Sequence, residues 1–186
     1  MPKINSKRLT LRPLLQKDFG PWKKTLSSLN PPSDRFDAAS WIEKEDISKE
    51  AFLRKVKREK EEIRNDQSYS FHSFLKSSSE YIGYASLSFV VRGPFQEAQI
   101  LYEIYNQFVR KGYATEAIKA LMDYGFNNLK LHRIYGLVHP KNKISKKVMK
   151  SFNFRFEGIR KKAIFYPDGK WHDMRVYALT KEEFKK

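Results

Sequence analysis

Apolar positions along this chain recur with two periods, and the places where the period changes mark the elements. Arg8-Leu9-Thr10-Leu11-Arg12 alternates and stops at Pro13, which predicts a first strand with Leu9 and Leu11 inward. Residues 16–29 read as a helix with Pro21 in its first turn, ended by Asn30-Pro31-Pro32. Residues 35–47, which contain Trp41, carry no decodable pattern. Ser48 then caps a helix to about Asn65, with Phe52, Val56 and Ile63 on one face and a charged run, KREKEE, that reads as solvated. Tyr69, Phe71, Ser73 and Leu75 alternate with Ser70, His72 and Phe74. Residues 81–91 form a longer strand, in which Gly83 marks a bulge or a close backbone approach. The short polar link between these two strands predicts an antiparallel hairpin.

The second half repeats a strand–helix theme. Residues 98–105 read as a strand, followed by the turn Val109-Arg110-Lys111-Gly112-Tyr113-Ala114-Thr115. A helix then carries Ile118, Leu121, Met122, Gly125 and Leu129 on one face. Residues 133–138 are a strand, and 142–152 a short helix with Ile144, Val148, Met149 and Phe152 inward. Strands from Phe154 to Phe165 and from Met174 to Leu179 flank the turn Tyr166-Pro167-Asp168-Gly169. The order β-α-α-β-β-β-α-β-α-β-β predicts an α/β fold: a mixed sheet of about seven strands with helices on both faces. The strand–helix–strand units after Ala98 are expected as parallel, right-handed crossovers. Repeats and linkers are missing, so residues 1–186 read as one domain.

Composition narrows the chemistry. No apolar run approaches the ~20 residues that span a bilayer, and the N-terminus has no apolar secretory segment. The chain has no cysteine, which excludes disulfides and thiolate chemistry. Its four histidines are scattered, so no metal is expected, and the reading is a cytoplasmic protein. Net charge is +16, with fourteen Lys/Arg against five Asp/Glu from His139 onward. That excess suits a polyanion, whether a phosphate-bearing cofactor, RNA, a ribosome or an acidic protein, and equally suits a plain solvated surface.

The stretch from Ala98 to Leu129 is chemically the most pointed. A strand, a glycine turn and a helix N-terminus leave free backbone N–H groups facing outward, where the helix dipole favours an anion. Gly112 removes a side chain from that approach, and Arg110 and Lys111 add charge. The same residues also fit an ordinary helix entry. A general nucleotide site is excluded, because neither GxxxxGK[ST] nor GxGxxG occurs.

Six segments in order resemble the GNAT N-acetyltransferase superfamily, and within it the RimJ/RimL-like branch. They are Arg8-Leu9-Thr10-Leu11-Arg12-Pro13, Tyr81-Ile82-Gly83-Tyr84-Ala85, Lys111-Gly112-Tyr113-Ala114-Thr115-Glu116-Ala117, Leu131-His132-Arg133-Ile134, Asn142 with Ser145, and Gly169-Lys170-Trp171-His172-Asp173. The resemblance covers nearly the whole chain. It implies acetyl-CoA in a gap between the fourth and fifth predicted strands, with pyrophosphate on the N–H groups of Arg110, Lys111, Gly112, Tyr113, Ala114 and Thr115. The pantetheine amides would pair with the strand at residues 102–105 as an extra strand, at Ile104 and Tyr105 in particular. Asn142 would bond the pantetheine arm, or serve only as the N-cap of its helix. Ser145 would donate to the departing thiolate, or be only a first-turn polar residue. The sequence departs from the family at Met149, where many members have a tyrosine acid, and at Ile164, where some have a carboxylate.

The implied reaction is direct acetyl transfer to a primary amine in a ternary complex. The acceptor is expected to be the α-amino group of a protein of ribosomal type, with a small amine as the alternative. A non-catalytic module binding RNA or a ribosome through its basic surface stays open. Glu103 is the first candidate base, because apolar neighbours on its strand would raise its pKa; His72 and His139 follow. Trp41, Tyr166, Trp171 and His172 are expected to line the acceptor entrance, with Trp22 either there or in the core. The chain is expected as a monomer or a homodimer.

Overall fold

The computed structural model describes residues 2–37, 39–42 and 46–184, the side chains of 41 and 42 excepted. Its centre is an eight-stranded sheet in the order β1-β2-β3-β4-β5-β6-β8-β7. The strands are β1 (Ile4–Asn5), β2 (Leu9–Arg12), β3 (Ser68–Leu75), β4 (Tyr81–Val91), β5 (Glu97–Ile104), β6 (Arg133–Val138), β7 (Arg155–Phe165) and β8 (Trp171–Thr180). The helices are α1 (Phe19–Leu26), α2 (Ala39–Ile42), α3 (Lys49–Arg64), α4 (Tyr113–Asn127), α5 (Lys143–Ser151) and α6 (Lys181–Phe184). The two-residue β1 is the strand beyond the seven expected. Among the described residues no helix is long and apolar enough to cross a membrane.

Alternation along the strands builds two cores. On one face Leu9, Leu11, Phe71, Leu87 and Ile100 meet Ile118, Leu121, Met122 and Phe126 of α4. On the other, Trp22 and Leu26 of α1 and Phe52 of α3 pack with Phe74, Tyr81 and Tyr105. Trp22 is therefore a core residue, 5.1 Å from the Phe52 ring. Ser48 caps α3 as expected, its hydroxyl accepting from the Ala51 N–H.

Three expectations need correction. Among the described residues only β5 and β6 form a parallel pair, because β8 lies between β6 and β7 and is antiparallel to both. The burial pattern explains it: β8 brings Met174, Tyr177, Ala178 and Leu179 to the interior, whereas β7 is exposed along most of its length and takes the edge. The charged run on α3 is not wholly solvated. Glu59 is 4% exposed and accepts from His72 Nε2 (2.9 Å) and Lys55 Nζ (3.1 Å). Burial alone would raise its carboxyl, but these two partners hold it well below the ordinary carboxylate range. Ile144, expected inward, is 70% exposed in the first turn of α5.

Candidate active site

β5 and β6 stay together for only three pairs, Glu97 with Arg133, Ala98 with Ile134 and Gln99 with Tyr135. Beyond Gln99, β5 continues on β4 as far as Ile104 while β6 continues on β8 to Val138. The strands part, and residues 100–104 present a free edge to the gap. The Tyr105 N–H donates to the Ile82 carbonyl (3.0 Å), so its backbone faces β4. By alternation the backbone groups of Tyr102 and Ile104 face the gap. Ile104 is therefore available to an extra strand, and the N–H of Tyr105, expected in that role, is not. The Tyr105 ring is buried as well, with its hydroxyl 3.2 Å from that of Tyr81.

At the end of β5 a single 3-10 turn, Asn106–Phe108, leads into the expected anion loop. Arg110 (φ +62°) and Gly112 (φ +79°) are both left-handed. Gly112 is the N-cap of α4, and no side chain caps its first turn. Successive N–H groups in such a turn make a concave donor array in line with the helix dipole. A Cβ at Gly112 would stand 3.3 Å from the Arg8 guanidinium, so the backbone there has little room for a side chain. Arg8 itself braces the loop. It donates to the Lys111 carbonyl (2.8 Å) and to Glu116 (2.7 Å) and lies over the Tyr113 ring. Burial would raise the Glu116 carboxyl, but hydrogen bonds from Arg8 and Ser6 hold it below its ordinary value. The sequence placed Arg8 only in an alternating strand; nothing local signals a bond across more than a hundred residues.

Successive residues of β5 point to opposite faces, and this separates two functions. Glu103 faces the α3 side, opposite Tyr84. Burial, and then the charge of Asp37, raise its carboxyl from 4.5 to about 8. Asp37 lies in the segment that carried no readable pattern. It accepts from the N–H groups of Ser33 and Ala39 (both 3.0 Å) and from the Asn106 amide (3.2 Å). Burial opposes its ionisation, but these bonds keep it below the ordinary value. Gly83 permits the arrangement: a Cβ there would lie 2.1 Å from the Glu103 carbonyl oxygen. On the other face the Tyr102 hydroxyl lies beside Ser145, so Glu103 and Ser145 flank the free edge from opposite sides.

Asn142 is the N-cap of α5, its Oδ1 accepting from the Ser145 N–H (2.9 Å); its amide nitrogen has no bond among the described residues. The entrance carries a chain of rings. The Lys141 N–H donates to His139 Nδ1 (3.1 Å), so the other nitrogen, Nε2–H, donates to His172 Nδ1 (3.1 Å). His172 Nε2 in turn donates to Asp168 (2.9 Å). Tyr166 stacks on His139, Phe36 also packs against it, and Arg35 reaches Asp168. Burial, then the Arg35 charge, lower the His139 pKa, but its lone pair is already engaged by Lys141. His72 has both nitrogens engaged, by Glu59 and Tyr81. Neither histidine has a lone pair free to serve as a base.

Of the expected entrance residues, Tyr166 and His172 meet here. Trp171, 60% exposed, packs at a tilt against Phe165 and alternates away from His172, and the Trp41 side chain lies outside the described residues. Asp173 instead bonds Lys161 and the Lys162 N–H. A hollow of about 560 Å³ continues the Glu103 face, lined by Tyr84, Ser86, Ser88, Leu101 and Lys55. Asp37 and Asp168 both stand at this entrance, Asp168 paired with Arg35.

A family model described as an acetyltransferase (GNAT) domain matches residues 8–155. The chain is 32% identical over 177 residues to a probable N-acetyltransferase, YjcK, of Bacillus subtilis (strain 168), covering 95% of this chain and 96% of that protein. It is 34% identical over 112 residues to the [ribosomal protein uS5]-alanine N-acetyltransferase of Escherichia coli (strain K12), covering 60% and 57%. Among solved structures, Mycobacterium smegmatis RimJ in complex with CoA-disulfide superposes with a TM-score of 0.83 at 24% identity, over 100% of this chain and 90% of that one. A RimL ribosomal L7/L12 α-N-protein acetyltransferase with coenzyme A superposes at 0.78 and 19% identity, over 96% and 98%.

Proposed function

This chain belongs to the GNAT acetyltransferase family, with RimJ/RimL enzymes among its relatives, and from that premise we propose that it transfers the acetyl group of acetyl-CoA to the α-amino group of a protein N-terminus. The observation that carries the reading is the free edge of β5 beyond Gln99, ending in the uncapped N–H array at Gly112. The residues fit the cofactor. Arg110, Lys111, Gly112, Tyr113, Ala114 and Thr115 would hold its pyrophosphate, Ile104 and Tyr102 would pair with the pantetheine amides, and the free amide of Asn142 would assist. Acetyl-CoA supplies an acetyl thioester, and this chain orients an amine against it.

Asp37 attracts the acceptor as an ammonium ion, and Glu103 takes its proton. A carboxyl at about 8 matches an α-amino group of about 7.7–8.0 far better than a lysine-type amine of about 10.4. The match supports an α-amine over an ε-amine or polyamine. The direct relative acting on a ribosomal protein supports an acceptor of that type, with its following residues extending along the serine-lined hollow. Ribosome association through the basic surface belongs to the same reading.

A small cationic amine is a second reading, drawn from the Asp37 carboxylate beside Glu103. Thiol release from acetyl-CoA across N-terminal peptides and small amines tests both. Turnover confined to α-amino peptides is expected. Turnover with small amines alone would replace the first reading with the second, and no turnover with any amine would refute both.

A further inference from the structure

Tyr102 presents a hydroxyl that the fold does not use. Its oxygen is buried and has no hydrogen-bond partner among the described residues. Buried polar groups are almost always paired, so one left open calls for an explanation. Tyr102 stands on the free part of β5, past the last pair with β6, with its ring against the α4 core. Ser145, from the first turn of α5, approaches it as a hydrogen-bonding neighbour and partly offsets the effect of burial without reaching full hydrogen-bond geometry. The hydroxyl therefore lies on the α5 side of the free edge, on the face opposite Glu103. Met149, at the position where a tyrosine acid would be expected by resemblance, is 1% exposed and packed at Gly136, so α5 offers no such group.

We propose that the Tyr102 hydroxyl is a catalytic hydrogen-bond donor to the departing thioester sulfur, acting beside Ser145. The inference rests on the acetyl-transfer reading above. The ammonium proton that Glu103 takes first passes on to solvent; as the C–N bond then forms and the C–S bond breaks, the sulfur keeps the electron pair and the emptied Glu103 carboxylate takes the second amine proton. Tyr102 keeps its own proton. Burial holds that hydroxyl at about 12, and against a thiol of about 8.5 a full transfer would be uphill more than a thousandfold. Donation of a hydrogen bond carries no such penalty, and it strengthens as charge gathers on sulfur.

The test is Tyr102→Phe, which removes one oxygen and keeps the ring, with Ser145→Ala alongside. Three quantities are read: kcat by thiol release, affinity for CoA and desulfo-CoA by calorimetry, and the pH at which bound CoA thiol ionises, by thiolate absorbance. In Tyr102→Phe, kcat is expected to fall roughly 10- to 100-fold, and the bound thiol to ionise at higher pH than in wild type. The preference for CoA over desulfo-CoA at high pH is expected to shrink. A kcat within twofold of wild type, or a reduced kcat with unmoved thiol ionisation, would overturn the proposal. Absence of turnover in the wild-type protein would instead strike the acetyl-transfer reading, while the thiol titration would still judge Tyr102.

Discussion

Replacing Glu103 by glutamine should stabilise the protein at neutral pH and leave it unchanged in acid. The folded carboxyl titrates at about 8 against an ordinary value of 4.5, so between those limits the folded protein holds a proton that the unfolded chain has lost. Stability is thus fully present below about 4.5 and is lost as pH rises through about 8. At 1.36 kcal/mol for each pH unit, the penalty is about 3 kcal/mol at pH 7 and between about 4 and 5 kcal/mol above pH 8. Glutamine is nearly isosteric with the protonated acid, so Glu103→Gln removes the penalty without opening a cavity. For a domain of this size, about 3 kcal/mol corresponds to a rise in Tm of roughly 6–12 °C. Urea unfolding of both proteins at pH 4.5, 7 and 8.5 measures it, with acetyl transfer followed in parallel. The expected result is a gain that grows with pH alongside a large loss of kcat. A gain equal at all three pH values would refute the burial of Glu103 as the source of its raised affinity for protons.

The other expectations follow from neighbouring contacts. Asp37→Asn removes the charge that helps hold the Glu103 proton, so the inflection of kcat/KM assigned to Glu103 should move to lower pH; an unmoved inflection would separate the two carboxylates. Gly112→Glu combines a left-handed backbone, an Arg8 contact at the Cβ and a negative charge in the N–H array. It should abolish the rise in Tm that CoA is expected to produce in the wild type. Glu59→Gln breaks a buried pair with His72 and should cost about 3–5 kcal/mol near pH 7. Because the Glu59 carboxyl is held below its ordinary value, its ionised form contributes above about pH 4.5, and the difference from wild type should shrink as pH falls further. Tyr102→Phe relieves a buried unpaired hydroxyl and should stabilise the fold by about 1–3 kcal/mol by urea titration, in contrast to its effect on turnover.

Much of the architecture was legible because it depends on local periodicity. Alternation at residues 8–12, the longer strand at 81–91, the Ser48 cap and the Gly112 helix entry are each read from a few adjacent residues, and each stands in the structure. So do the close backbone approach at Gly83 and the core face of α4. The burial of Glu59 and the placement of β8 were not legible, since each depends on a partner distant in sequence: His72 for the first, and a hydrophobic contest between two strands for the second.

The site divides the same way. By itself the sequence determined the donor loop, because N–H groups, a glycine and a helix dipole are properties of contiguous chain. It also nominated Glu103, because a carboxylate within an apolar strand must either find a partner or hold its proton. Only the tertiary structure decided what Glu103 faces. Asp37 comes from a segment without a pattern, and its effect is a through-space charge in a poorly solvated gap. Alternation put Tyr102 and Glu103 on opposite faces, but which face meets Ser145 and which meets Asp37 follows from where α5 and the 30–37 segment pack. Long-range packing sets those distances and the exclusion of water, and it is those two quantities that turn a buried carboxyl and an idle hydroxyl into chemistry.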